Sequence, residues 1–324
     1  MEVFRLTVSQ MLVIFLFIFV GYLLRRYNVV EKNAYANLSK MEMFVFMPAL
    51  NLYTQMTKCT VKNFKENAPL ILYGGVIIIV AILIASFLSR FLVRNYKENK
   101  EAEYQRNIYK YAIAFANYGF FGNFLVLSVF GDDMLFKYSM FCQILNIFTY
   151  AWGMYVLIPK DRNAGIMRNL IRGVTSVPML AIYLGMILGL TGVGDKILEV
   201  MFINTVLKNA SDCMGPIAML LAGMVLGNYP LGDLFKEKRV YIVSLLRLIL
   251  IPAFFVVVLK LIGSNDIVIM LTLIAFAAPL GLNTIVYPAA YGGDTKTGAS
   301  MALISSLFAV ATLPIMYYIF IQLW

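Results

Sequence analysis

Eight residues stand out as able to do chemistry inside an otherwise apolar chain. In the run Ala116-Asn117-Tyr118-Gly119-Phe120-Phe121-Gly122-Asn123, two amides and two glycines interrupt an apolar segment. In Ala278-Pro279-Leu280-Gly281-Leu282-Asn283, a proline, a glycine and an amide do the same. Proline removes a backbone donor and clashes with the preceding turn, and glycine weakens a helix. In lipid an unpaired backbone group is costly, so such breaks survive only where protein buries them or water reaches them. Opened helix starts present free N–H groups and a positive dipole end, both favourable to an anion. Asn117, Asn123 and Asn283 add amide donors and acceptors, while Gly119, Gly122, Pro279 and Gly281 shape the breaks. Arg247 is the eighth, a guanidinium within an apolar stretch and suited to a carboxylate. An ion pair with Glu42 or Asp212, or a reach towards an interface, competes with that role. Glu42 and Asp212 lie near the ends of apolar stretches, where solvation by interfacial water is expected in preference to proton coupling.

Other chemistries lack their residues. Histidine is absent, which removes histidine-based metal sites, proton relays and serine–histidine catalysis. No HExxH, GxSxG or GxxxxGK[ST] motif occurs, so neither an enzyme nor an ATP-driven pump is expected, and no cofactor. Cys59, Cys142 and Cys213 are widely spaced and form no CxxC pair. No acidic pair sits within the two interrupted segments, unlike a cation/proton antiporter.

The elements that must position these residues follow from composition. Of 324 residues, 61% are hydrophobic and 14% charged, more apolar than one soluble core can hide. The apolar runs are continuous rather than alternating, which predicts an all-α polytopic membrane protein and excludes a porin-like barrel. Ten spans are expected, near 6–24, 38–56, 69–92, 109–130, 135–158, 177–190, 198–226, 240–262, 267–291 and 297–323. With both termini outside, 17 of the 27 Lys and Arg fall in cytoplasmic loops and 7 in outer segments. The net charge of +10 is thereby explained without nucleic acid. Trp324, Tyr317 and Tyr318 fit an interfacial aromatic belt.

An internal repeat changes how the spans are read. An offset of 161 brings Phe115 onto Phe276, Phe130-Gly131 onto Tyr291-Gly292 and Asp133 onto Asp294. An offset of 168 brings Lys40 onto Lys208 and Pro48 onto Pro216. The fourth span thus matches the ninth and the second the seventh. Five spans per half is odd, so the halves enter the membrane from opposite sides, an arrangement typical of alternating-access carriers. The expected division is a first five-helix repeat over 1–160, a cytoplasmic connector over 161–176 and a second, inverted repeat over 177–324. Singly, each break has a packing explanation; as a matched pair they point to a midplane binding site.

The chain resembles the auxin efflux carrier superfamily, which includes bacterial malate and malonate permease-like proteins. The likeness is carried by Gly21-Tyr22-Leu23, Leu38-Ser39-Lys40 leading to Pro48-Ala49-Leu50, and Asn117-Tyr118-Gly119 with Gly122-Asn123. It continues through Gly215-Pro216, Gly223, Pro279 to Asn283, Tyr291, Ser305-Ser306 and Pro314. The resemblance implies two inverted five-helix halves in which broken helices 4 and 9 cross. It also implies a scaffold of helices 1, 2, 6 and 7 and a moving part made of the rest. Asn123 departs from the proline that bacterial relatives often carry, and the long central loop of plant auxin carriers is missing. The implied activity is secondary transport of a small organic anion, such as a dicarboxylate, across a plasma membrane. Coupling to H+ or Na+ is left open, and a homodimer is an expectation. A non-transporting sensor or partner-binding subunit of the same fold is the alternative.

Overall fold

The computed structural model describes residues 2–159, 166–291 and 293–323. The first part of the expected connector (residues 161–165), Gly292 of the internal match and Trp324 of the aromatic belt lie outside them. Among the described residues the chain is helical, with no strand. The first half contains α1 (Glu2–Arg26), α2 (Ala34–Met41), α3 (Met47–Lys58), α4 (Val61–Leu92), α5 (Lys100–Ala114) and α6 (Asn123–Phe148). The second contains α7 (Val177–Leu190), α8 (Met201–Leu226), α9 (Lys238–Leu245), α10 (Ile251–Leu261), α11 (Asp266–Ala277), α12 (Asn283–Tyr291) and α13 (Lys296–Tyr317).

Local chemistry sets the helix limits. Thr60 caps α4 by accepting the Asn63 N–H at 3.2 Å. α4 then runs 32 residues, roughly 48 Å at the usual rise, longer than a hydrocarbon core of about 30 Å. Its outer face is bare and apolar, with Leu72 69% and Leu83 64% exposed, while Ile78 and Ala85 are fully buried. Such a face needs lipid, because water would penalise it. Gly131, with φ 78°, bends α6 inside its 26 residues. A left-handed residue of this kind suits glycine, which has no Cβ to clash.

Among the described residues, six stretches are long and apolar enough to cross a membrane: Val8–Arg26, Val61–Leu92, Tyr118–Leu157, Met201–Leu226, Lys238–Leu261 and Lys296–Leu323. Val177–Leu190 and Asp266–Ala277 are shorter apolar helices. Interruption accounts for much of the difference from ten. The stretch expected at 267–291 is two helices, α11 and α12, separated at Ala278–Leu282. The one expected at 109–130 is likewise divided after Ala114. Tyr118–Leu157 holds the Gly131 bend and continues into the stretch expected at 135–158.

Two wide turns mark proline positions. A π-turn over Glu42–Phe46 links α2 to α3, and another over Leu246–Leu250 links α9 to α10. Each is followed at the second helical residue by a proline, Pro48 or Pro252. A proline ring clashes with the carbonyl four residues earlier and offers no N–H, so the helix widens ahead of it. α1 packs against α8 and α3 against α7. A Cβ on Gly21 would stand 2.1 Å from the Leu220 carbonyl oxygen, and one on Gly189 would stand 2.6 Å from that of Gln55. Both contacts therefore require glycine, and backbones approach closely there. Elsewhere α4 packs on α5 and α6, α10 on α11, and α9 on α13.

Candidate functional site

The two broken segments meet. α5 ends at Ala114, and Phe115 is extended with φ −121° and ψ 133°. α11 ends at Ala277, and Ala278 is extended with φ −62° and ψ 152°. The extended pieces run antiparallel, bridging Ala116 and Leu280, with the Asn117 N–H donating to the Pro279 carbonyl at 2.8 Å. Pro279 has no N–H to offer, so it serves as an acceptor only. Leu280 N–H donates to Ser305 Oγ on α13 at 2.9 Å. Buried backbone groups freed by the breaks thus find partners across the crossing, as a dry interior demands.

Beyond the crossing each chain re-enters a helix. Asn117 Oδ1 accepts the Phe121 N–H at 3.5 Å and caps a π-turn over Tyr118–Gly122, which leads into α6. Tyr118 is pinned at both ends. Its carbonyl accepts the Tyr138 hydroxyl at 3.0 Å, and its own hydroxyl donates to Asn146 Oδ1 at 2.9 Å and bonds Thr149 Oγ1 at 2.8 Å. Asn283 opens α12, and its Nδ2 donates to the Tyr111 hydroxyl at 2.9 Å. Tyr111 in turn stacks on Phe115, with ring centroids 5.0 Å apart.

A cavity of about 900 Å³, counting its open mouth, lies against this crossing. Asn117, Gly119, Asn123, Gly281 and Asn283 line it, so five of the eight sequence-selected residues come together. The other three stand behind it. Gly122 faces Tyr138, whose hydroxyl would lie 2.2 Å from an added Cβ. Pro279 contributes its carbonyl to the bridge.

Arg247 is 1% exposed, sits on the π-turn before Pro252 and is not among the cavity-lining residues. Its guanidinium donates to the carbonyls of Ile113 and Ala275, both at 3.4 Å, and lies 4.7 Å from the Phe276 ring centroid. Those carbonyls belong to the last turns of α5 and α11, the negative ends of both helices. Arg247 therefore ties together the two half-helices that stop at the crossing. Its surroundings are carbonyl dipoles and an aromatic face, not Glu42 or Asp212. Asp212 is about half exposed and pairs with Lys208 at 3.4 Å.

Glu42 departs from its expected place near interfacial water. It is 0% exposed, both carboxylate oxygens lack a hydrogen-bond partner, and it lines the same cavity. The signal was present, since Glu42 interrupts the apolar run Met41–Met47 just before Pro48. Asn51, Asn146 and Thr149 also line the cavity. They come from helices the sequence marked only as spans, and nothing local distinguishes them. No Lys or Arg stands on the lining among the described residues.

A search of curated proteins finds no match to the chain. The profile of the membrane transport protein family, the auxin efflux carriers, matches twice, over residues 6–170 and 166–317. Nearly the whole chain is covered, and both broken segments fall inside the matches. The chain is a member of the membrane transport protein (auxin efflux carrier) family, a multi-pass membrane protein among transporters rather than enzymes.

Proposed function

We propose that this protein is a secondary active transporter of a small organic anion, such as malate or malonate. Substrate binds at the crossing of the broken helices, and access alternates as one part of the molecule shifts against the other. The observation that carries this reading is the bridge from Asn117 N–H to the Pro279 carbonyl, lying against a cavity lined by Asn117, Asn123 and Asn283. Two helix starts open at the bridge, at Asn117 and Asn283. Their positive dipole ends and amide groups suit a carboxylate without any Lys or Arg in contact. The substrate-binding set is Asn117, Gly119, Asn123, Gly281 and Asn283 on the lining, with Gly122 and Pro279 shaping the breaks and Arg247 holding the half-helices from behind.

Two inverted five-helix repeats, over 1–160 and 177–324, form the framework of this reading. Packing pairs support it: α1 on α8 has its counterpart in α3 on α7, and α4 on α5 in α10 on α11. The offset of 168 also relates Gly21 to Gly189 and Leu220 to Leu52. Gly21 lies on Leu220, while Gly189 and Gly185 lie on the turn of α3 that holds Leu52 and Gln55. The protein would sit in the plasma membrane with both termini outside, alone or as a homodimer.

Uptake of labelled malate, malonate and an indole acid into proteoliposomes tests the proposal. Saturable flux of a dicarboxylate, reduced in Asn117→Ala and Asn283→Ala variants at normal expression, is the expected result. No flux of any acid by folded protein, or unaltered flux in both variants, would overturn it.

A further inference from the structure

The cavity described above contains one ionisable group of unexplained purpose. Glu42 is fully buried on the π-turn ahead of Pro48, and neither carboxylate oxygen has a hydrogen-bond partner. Among the described residues it is the sole Asp, Glu, Lys or Arg on the lining; Tyr118 and Tyr287 are the other ionisable side chains there.

The elements packed on its turn are α2, α3, α7 and α8. They bring Tyr35 and Lys40, Tyr53 and Lys58, Tyr183, and Lys208, Asp212 and Cys213. Lys40 and Cys213 are exposed, Lys58 pairs with Asp133, and Lys208 pairs with Asp212. None of these groups hydrogen-bonds to the Glu42 carboxylate.

This isolation has a consequence for an anion site. A carboxylate on the wall of the cavity repels a bound organic anion, and among the described residues no cation on the lining offsets that repulsion. The anion can be held only while Glu42 carries a proton. Linkage then works both ways: the proton favours the anion, and the anion favours the proton. We propose that Glu42 is the proton-carrying group that couples anion movement to proton movement in the same direction. The Glu42 carboxyl takes one proton on the side where the anion enters and gives that proton up where the anion leaves. Only its O–H bond is made and broken. The π-turn that carries it lies between α2 and α3, so the group sits on an element already widened by Pro48.

This inference rests on the reading of the cavity as an anion site, and the test separates the two. The full chain is reconstituted in liposomes with the membrane potential clamped, and labelled malonate uptake is followed with the outside one pH unit more acid. Accumulation above equilibrium by about tenfold per coupled proton is expected for the unaltered protein. Glu42→Gln, which cannot release a proton, should lose that accumulation while keeping measurable malonate counterflow. Glu42→Asp should restore the response to the gradient. Saturable malonate flux that ignores the pH gradient, or follows a Na+ gradient instead, overturns the proton role but leaves the carrier standing. Accumulation undiminished in Glu42→Gln also overturns it. Absence of flux under every gradient overturns the carrier and this inference together. Should Glu42→Gln fail to elute as a folded species, the gradient response of the unaltered protein and of Glu42→Asp still decides.

Discussion

The two broken segments are matched in sequence but not in how they are held. In the first, Asn117 spends its side chain on its own helix, accepting the Phe121 N–H, and Tyr118 is fixed at its carbonyl and hydroxyl. In the second, Asn283 reaches across to Tyr111 on the opposite half, and Leu280 leans on Ser305 of α13. The aspartates that follow the breaks diverge as well. Asp133 forms an exposed ion pair with Lys58 at 2.6 Å, whereas Asp294 accepts the Lys296 N–H at 2.8 Å and the Thr297 N–H at 3.4 Å at the start of α13. The lesson is that two segments alike in sequence can each satisfy their exposed backbone with whatever side chains their own neighbours supply.

Arg247 is where the two segments depend on one group, so its loss should have the largest effect. Arg247→Met leaves the Ile113 and Ala275 carbonyls without their donor. A marked fall in thermal midpoint and in maximal uptake rate is expected, with KM for malonate little changed. A rise in KM alone would instead place the guanidinium on the anion and undo its role as a link between halves.

The asparagines come next. Asn283→Ala should lower kcat/KM for malonate uptake roughly 10- to 100-fold, the scale of one hydrogen bond to a charged group. Asn117→Ala should do the same and also lower the thermal midpoint, because it removes a helix cap. Equal stability losses in both variants would erase the asymmetry between the segments.

Ser305→Ala sharpens the comparison at the second segment. It leaves the buried Leu280 N–H without an acceptor, a loss of about 1–3 kcal/mol measurable as a lower thermal midpoint.

The aspartates should show the smallest effects. Asp294→Ala removes a helix cap worth ~1 kcal/mol, and Asp133→Asn should change stability less than that. The Lys58 ammonium stands 2.6 Å from the Asp133 carboxylate, an attraction that exists only while that carboxyl is ionised. That contribution is lost in acid, once the carboxyl takes up a proton. The Asp133→Asn difference should therefore vanish in strong acid, and thermal melts across pH would reveal any other pattern.

The sequence by itself determined the class of molecule. Continuous apolar runs and few charges require lipid, and Pro279, Gly281, Gly119 and Gly122 mark where helices must open. These are local properties, set by backbone chemistry within a few residues. Tertiary structure decided the rest. Whether the Asn117 N–H meets the Pro279 carbonyl depends on residues 162 positions apart arriving antiparallel. Arg247 looked equally fit for a substrate carboxylate, an ion pair or an interface, because a guanidinium in an apolar run carries no record of its partners. Only packing set it on two helix ends. The place of Glu42 near a span end predicts an interfacial residue, yet the π-turn before Pro48 and the close packing of α3, α7 and α8 bury it on the cavity wall. Burial is a sum over neighbours from distant parts of the chain, and no local pattern encodes that sum.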